Sequence, residues 1–151
     1  VAAMFLINKV FSNTKTPLII AGNGVGSDLK NAIKDKPHIK LLENISPEEI
    51  NTYIQNAHIN VLPTFQPTGI KLKLVNVLYQ GRFIVVNSHM VSETGLENVC
   101  IIEDDPLSMA QTIEKLMEQT FSSVELEKRA ITIKDQFDVQ VNARKLIGFI
   151  H

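Results

Sequence analysis

The stretch from Pro63 to Asn87, PTFQPTGIKLKLVNVLYQGRFIVVN, contains the pattern that decides the fold. It opens at the end of one short apolar run and passes through a turn shaped by Pro67 and Gly69. Apolar residues then recur at helical spacing until Gly81, and a second apolar run closes the stretch. Because Pro and Gly interrupt regular structure, this order predicts a strand, a turn, a helix over about residues 70–79 and another strand.

The same alternation extends over the rest of the chain. Short apolar runs that predict strands lie at residues 17–21, 38–42, 58–63, 82–87 and 99–103. Segments with helical spacing or capping signals lie at residues 2–13, 28–34, 46–57, 70–79, 106–119, 122–136 and 138–149. This order predicts an α/β fold, a Rossmann-like parallel sheet with helices on both faces. Ligands of such sheets bind outside the carboxyl ends of the strands, so the loops that follow the strands are the candidate sites.

Composition narrows the class of protein. The chain has 151 residues, 44% of them hydrophobic and 21% charged, which fits one globular domain. A net charge of -1 gives no reason to expect nucleic acid as a partner. No apolar run approaches the length of about 20 residues that a membrane span needs. The one cysteine, Cys100, excludes an internal disulfide, and its apolar neighbours favour a buried core residue over a nucleophile.

A glycine-rich turn, Gly22-Asn23-Gly24-Val25-Gly26, follows the first predicted strand and precedes a helix. Its backbone is suited to close approach by an anion, which the helix N-terminus would favour. The turn lacks the full dinucleotide fingerprint and the Gly-Lys-Ser/Thr of a phosphate loop. A purely structural turn explains these glycines as well.

Two lysines, Lys71 and Lys73, lie at the predicted start of the helix in the deciding stretch. Cations in a first helical turn oppose the helix dipole unless an anion compensates them, and a diphosphate would do so. The alternative is that both lysines lie on a solvated face.

Asn76 follows on a helix that is apolar on most sides. Leu72, Val75 and Tyr79 have the spacing expected for the core, and Leu74 and Leu78 form a second apolar row. We therefore expect a half-buried amide bound to a ligand hydroxyl or to a backbone carbonyl.

Other polar residues carry weaker signals. The segment 87–97 reads as a long polar loop, in which His89 is expected to be solvated. The acidic run 103–105 is interpreted as a helix-capping segment, and the four histidines lack the spacing of metal ligands. We therefore expect no metal and assign no catalytic residue.

Taken in order along the chain, these segments resemble the C-terminal, donor-binding domain of retaining GT-B-fold glycosyltransferases of the group 1 type. The resemblance rests on LIIAGNG at residues 18–24, IKLLENISPEE at 39–49, INVLPT at 59–64, GIKLKLVNVL at 69–78, GRFIVV at 81–86 and ETGLE at 93–97.

The resemblance implies a nucleotide-sugar donor such as a UDP- or GDP-sugar and no cofactor. Substrate-binding residues would be Gly22, Asn23, Gly24, Leu42, Glu43, Thr68, Gly69, Ile70, Lys71, Lys73 and Asn76. Leu42 and Glu43 would line the base, and Gly69 to Lys71 would meet the diphosphate and the sugar. The family commonly has two glutamates eight residues apart, and those positions are Thr68 and Asn76 here. An asparagine at the second position would bind a ribose hydroxyl without charge assistance.

The resemblance also implies an arrangement of domains. Residues 1–151 would form one C-terminal nucleotide-sugar-binding domain that lacks its first strand, with the N-terminal acceptor domain absent. The chain alone is therefore expected not to transfer sugar. The whole enzyme would be cytoplasmic, with a possible peripheral association at the inner membrane face.

Three alternatives remain open at this stage. A related sugar-nucleotide epimerase would need acid and base residues that the sequence does not show. A flavodoxin-like regulatory domain would need an acidic cluster at the ends of its early strands. The residues at Thr68 and Asn76 are also compatible with a degenerate domain that acts as a scaffold or binds a partner.

Overall fold

The computed structural model describes residues 1–66 and 71–137 and confirms an α/β architecture. Its strands are β1 Leu18–Gly22, β2 Ile39–Glu43, β3 Ile59–Leu62, β4 Phe83–Val86 and β5 Ile101–Ile102. Each lies within one residue of its predicted bounds except β5. That strand is shorter than predicted because Val99 belongs to a 3₁₀ turn, Glu97–Val99.

The helices also follow the predicted order. They are α1 Ala2–Phe5, α2 Ser27–Ile33, α3 Pro47–Asn56, α4 Leu72–Gln80, α5 Ser88–Val91, α6 Pro106–Met117 and α7 Val124–Phe137. The first helix continues as a π-helical segment, Leu6–Val10, and ends before the predicted residue 13. Helix α5 lies in a segment that was expected to be a loop. The helix predicted at 138–149 lies outside the described residues.

The strands pair in parallel, as predicted, but within the described residues they form two hydrogen-bonded sheets instead of one. In the first sheet β1 pairs with β2, and Gly22 is the partner of Glu43 at the carboxyl ends. In the second sheet β4 lies between β3 and β5, and Leu62 is the partner of Val86. In each sheet, the loops that follow paired strands therefore start close together, although they are far apart in the sequence.

Side chains on the two faces of β4 pack into different cores, as alternation along a strand requires. Val85 joins a cluster that spans both sheets, through Leu18 and Ile39, and includes residues of the π-helical segment and α6. Ile84 and Val86 join a second cluster with residues of α4, α5 and α7. Helices therefore cover both faces of this strand, which confirms the predicted layering.

Helix α4 differs from the prediction in its start and in its buried face. Lys71 is the N-cap, so the helix begins at Leu72 rather than near residue 70. The prediction that Leu72 and Tyr79 face the core is wrong, because these side chains are 70% and 56% exposed. Val75, predicted in the same row, is half-buried and packs against the core. The buried row consists of Leu74, Val77 and Leu78, since the helix packs on one side only.

Two predicted helix caps are confirmed. The Glu49 N–H donates to Oγ of Ser46, and the Ser46 N–H donates to Oε2 of Glu49, which completes the capping box. The Ser108 N–H donates to Oδ2 of Asp105, 2.8 Å away, at the start of α6. Among the described residues no helix has the length and apolar character that a bilayer crossing requires.

Candidate functional site

The carboxyl ends of β1 and β2 bring together candidate residues that lie about twenty positions apart in the sequence. Gly22 is directly opposite Glu43, and the Asn44 N–H donates to the Gly22 carbonyl at 3.4 Å. Asn23 and Gly24 follow in an exposed turn. Gly24 has a φ of 62°, in the left-handed region where a side chain is strained, so the turn itself requires a glycine there.

Leu42 and Glu43 do not point to the same side of the sheet, because neighbouring side chains along a strand alternate between its faces. Glu43 forms an ion pair with Lys30 of α2, with Oε1 and Nζ 2.8 Å apart. Lys30 was not among the candidate residues, because an ion pair between a strand and the helix before it has no signature in the sequence. The pair gives this strand end a carboxylate that is held in place.

The loop after β3 is anchored at its start by a buried asparagine. The Thr64 N–H donates to Oδ1 of Asn87, and Nδ2 of Asn87 donates to the Thr64 carbonyl. Farther along, Nζ of Lys71 donates to the Gln66 carbonyl at 3.2 Å. Thr68, Gly69 and Ile70 lie outside the described residues, so this loop is described at its two ends.

Asn76 differs from expectation in burial and in partner. It is exposed rather than half-buried, and its amide donates to Oδ1 of Asn51 on α3. Nε2 of Gln80 donates to Oδ1 of Asn76 and to Oδ1 of Asn51, and Gln55 donates to Gln80. Its partners are therefore side-chain amides, where a ligand hydroxyl or a backbone carbonyl was expected. Lys73 lies exposed on the same helix.

Side chains after β4 and β5 mainly secure the backbone. The Ser88 N–H at the start of α5 donates to Oδ1 of Asp104 at 2.8 Å, and Thr112 donates to Glu103. Together with Asp105 these contacts support the interpretation of the acidic run as a capping segment. His89 is exposed, as predicted. Within residues 1–66 and 71–137, no three His, Cys, Asp or Glu residues are grouped closely enough to hold a metal ion.

The two groups of candidate residues have different charge. The β1–β2 end carries the Lys30–Glu43 pair, whose charges compensate each other. The end of the loop after β3 carries the cations of Lys71 and Lys73 at a helix N-terminus, where the helix dipole adds positive potential. This second place suits an anion.

The family model of the glycosyl transferases group 1 matches residues 1–119. The chain belongs to this family. All the candidate residues, from Gly22 to Asn76, fall inside the matched range. Parallel strands flanked by helices agree with one Rossmann-like half of such a glycosyltransferase. No curated protein sequence matches this group 1 chain.

Proposed function

We propose that the chain is the donor-binding, C-terminal domain of a retaining GT-B glycosyltransferase and binds a nucleoside-diphosphate sugar. The observation that carries the proposal is the family match over residues 1–119, which includes the end of β2 with Glu43 and the start of α4 with Lys71. The acceptor would be a glycan, a lipid or another hydroxyl-bearing molecule held by a second domain.

Charge suggests how the donor lies. The Lys30–Glu43 pair has no net charge and offers no free cation to phosphate, so the Glu43 end suits the uncharged base and ribose. The diphosphate would lie toward Lys71 and Lys73, where two cations and the start of α4 lower its energy. The glycine turn at Gly24 leaves open space beside the base, because a Cβ placed there would meet no atom within 4 Å.

The sheet arrangement supports the proposed domain organisation. Within the described residues β1 pairs with β2 alone and β3 pairs with β4 alone, while Leu18 and Val85 share one core with the π-helical segment Leu6–Val10. We propose that a further parallel strand of the whole protein joins β1 to β3 under this segment. Restoring it should tighten donor binding relative to the 151-residue chain.

Titration with UDP, GDP and ADP tests the proposal, with the melting temperature as the readout. One nucleotide should raise the melting temperature, since a ligand at a hundred times its Kd stabilises the folded state by about 2.7 kcal/mol. Absence of any shift at millimolar concentrations, in the chain and in a version extended through the further strand, would favour the scaffold alternative.

Turnover assays address the remaining claims. The 151-residue chain should show no sugar transfer with any nucleotide sugar, because the acceptor domain would supply the other half of the active site. The full-length enzyme should give a product with the anomeric configuration of the donor, which proton NMR of the product measures. An inverted anomer would refute the retaining mechanism while leaving donor binding intact.

A further inference from the structure

A small cavity lies at the amino ends of β4 and β5, on the side of the second sheet opposite to the loop that carries Lys71. Its volume is about 180 Å³. Aromatic rings of Phe83 and Phe121 form part of its wall, and their centroids are 5.1 Å apart in an edge-to-face arrangement. Arg129, Glu125 and Cys100 supply its polar groups. Nothing in the proposed donor site involves these residues.

Arg129 is the unusual member of this cavity, because a guanidinium is rarely so buried without a carboxylate. The residue is 5% exposed. One terminal nitrogen donates to the Gly81 carbonyl at 2.7 Å, the other donates to the Arg82 carbonyl, and the charge lies 5.2 Å from the centre of the Phe121 ring. In the described part of the chain no carboxylate lies within 4.0 Å of this side chain.

The charge of Arg129 is therefore not paired with a carboxylate at ion-pair distance, and the Glu125 carboxylate that also lines the cavity acts on it only from farther away. A guanidinium has five N–H donors, and carbonyl dipoles compensate its charge only in part. Burial also lowers the pKa of Arg129, and the Glu125 carboxylate opposes this shift. The Glu125 carboxylate is already paired with Lys128, with Oε1 and Nζ 3.3 Å apart, and is half exposed. Cys100 stays neutral at physiological pH, because burial raises the pKa of its thiol to about 11.

We propose that this cavity is a binding site for a small carboxylate with a flat apolar body. The carboxylate would accept hydrogen bonds from Arg129, and the flat body would contact Phe83 and Phe121. The size agrees, since an apolar cavity of about 150 Å³ holds a benzene molecule. A second nucleotide does not fit this volume, so the ligand is a smaller molecule than the donor.

A purely structural role for Arg129 predicts a different result. In that case the guanidinium only fastens α7 to the start of β4 through the two carbonyls, and the cavity prefers no charge. Benzoate and benzamide distinguish the two roles, because they have the same ring and nearly the same shape but differ in charge.

Alkylation of Cys100 reports on occupancy of the cavity, because this residue lines the cavity and is the only cysteine in the sequence. The rate of its alkylation by iodoacetamide is measured at pH 9 with increasing benzoate or benzamide. Benzoate at about ten times its Kd should slow the reaction about tenfold, because about a tenth of the chains remain empty. Benzamide at the same concentration should leave the rate unchanged.

Variants of two glutamates on α7 give a matched comparison. Glu125→Gln removes the carboxylate at the cavity and should lower the Kd of benzoate about two- to fivefold, as expected for a half-exposed charge. Glu127→Gln, on the exposed side of the same helix, should leave the Kd unchanged. Arg129→Lys should abolish protection in a chain that circular dichroism shows to be folded. If that variant unfolds, the benzoate Kd values of the two glutamate variants still test whether the cavity binds a carboxylate.

Two results would overturn the proposal. Equal protection by benzoate and benzamide would show a cavity that binds apolar rings without regard to charge. No protection by either compound at tens of millimolar would show that Arg129 has only its structural contacts. Neither result bears on nucleotide binding, which depends on residues at the other ends of the strands.

Discussion

Asn87 and Thr64 are joined by two hydrogen bonds that link the end of β4 to the first residues of the loop after β3. The Thr64 N–H donates to Oδ1 of Asn87 at 2.9 Å, and Nδ2 of Asn87 donates to the Thr64 carbonyl at 2.7 Å. Both residues are buried, at 6% and 8% exposure. One amide side chain therefore satisfies both backbone polar groups of Thr64, and it sets where the candidate donor loop begins.

The first prediction concerns this contact. Asn87→Ala should lower the free energy of unfolding by about 1–3 kcal/mol, because the N–H and the carbonyl of Thr64 would stay buried without partners. Urea denaturation measures the change. The control, Asn31→Ala at an exposed position of α2, should change stability by less than about 0.5 kcal/mol. Equal effects of the two substitutions would contradict the anchoring role.

The second prediction concerns Lys71 and depends on the proposed donor site. Lys71→Gln removes a cation at the start of α4, so the nucleotide diphosphate should bind about 10- to 100-fold more weakly, as expected for the loss of a hydrogen bond to a charged group. Isothermal titration calorimetry with the nucleotide that binds best gives the Kd. Lys134→Gln, an exposed lysine of α7, is the control and should leave the Kd unchanged. Unaltered affinity of the Lys71 variant would place the diphosphate elsewhere.

The third prediction concerns the close packing at Gly81. A Cβ on this residue would lie 2.7 Å from Nδ2 of Asn60 and 2.8 Å from the carbonyl oxygen of Val77. Gly81→Ala should therefore cost about 1–3 kcal/mol of stability through overpacking. Gly22→Ala is the matched control, since nothing lies within 4 Å of its Cβ, and its effect should stay within about 0.5 kcal/mol. Thermal unfolding of both variants measures the difference.

The fourth prediction concerns pH. Burial raises the pKa of Cys100 from 9.0 to about 11, with a smaller opposing influence from Arg129. At pH 9 its alkylation should therefore be about 50-fold slower than that of a free cysteine, since only the thiolate reacts. The rate should rise with an apparent pKa near 11. An apparent pKa close to the ordinary value would show that the thiol is solvated.

The same shift affects stability. The folded chain holds the Cys100 proton more tightly than the unfolded chain, so this group does not affect stability below about pH 9. As the pH rises from 9.0 toward 11, the unfolded state releases the proton first and the free energy of unfolding falls. Comparison with Cys100→Ala over this range isolates the effect from the titration of lysines and tyrosines.

The order of elements and the places of the caps could be predicted from sequence, because they depend on neighbours a few positions away. Ser46 and Glu49 are three residues apart, and their reciprocal hydrogen bonds form as the spacing predicts. The strand ending at Gly22 and the glycine turn after it follow from one apolar run and the residues next to it. The candidate residues of the glycine turn and of the helix start at Lys71 were found in the same way, whereas Leu42 and Glu43 became candidates only through the resemblance to the glycosyltransferase family.

Burial was less predictable where the sequence has more apolar residues than one face can hold. Helix α4 has two apolar rows, and periodicity alone does not say which row meets the core. The structure buries Leu74 and Leu78 and leaves Leu72 and Tyr79 exposed. Cys100 was predicted in the core by its neighbours, but it is half-buried and borders a cavity. Such outcomes depend on which elements cover a helix or strand.

Long-range polar contacts were beyond the reach of local pattern. The Asn87 side chain is hydrogen-bonded to the Thr64 backbone, and Lys30 forms an ion pair with Glu43. Arg129 donates a hydrogen bond to the carbonyl of Gly81, which lies 48 positions earlier in the sequence. One sequence signal could have indicated that Arg129 is buried: it lies in the same row of α7 as the apolar residues Leu126 and Ile133. Sequence by itself determined the α/β class, the succession of strands and helices and the strand ends where a donor is expected, because these depend on short-range periodicity. Only the tertiary structure decided which polar groups meet, because hydrogen bonds and ion pairs form between residues that folding brings together.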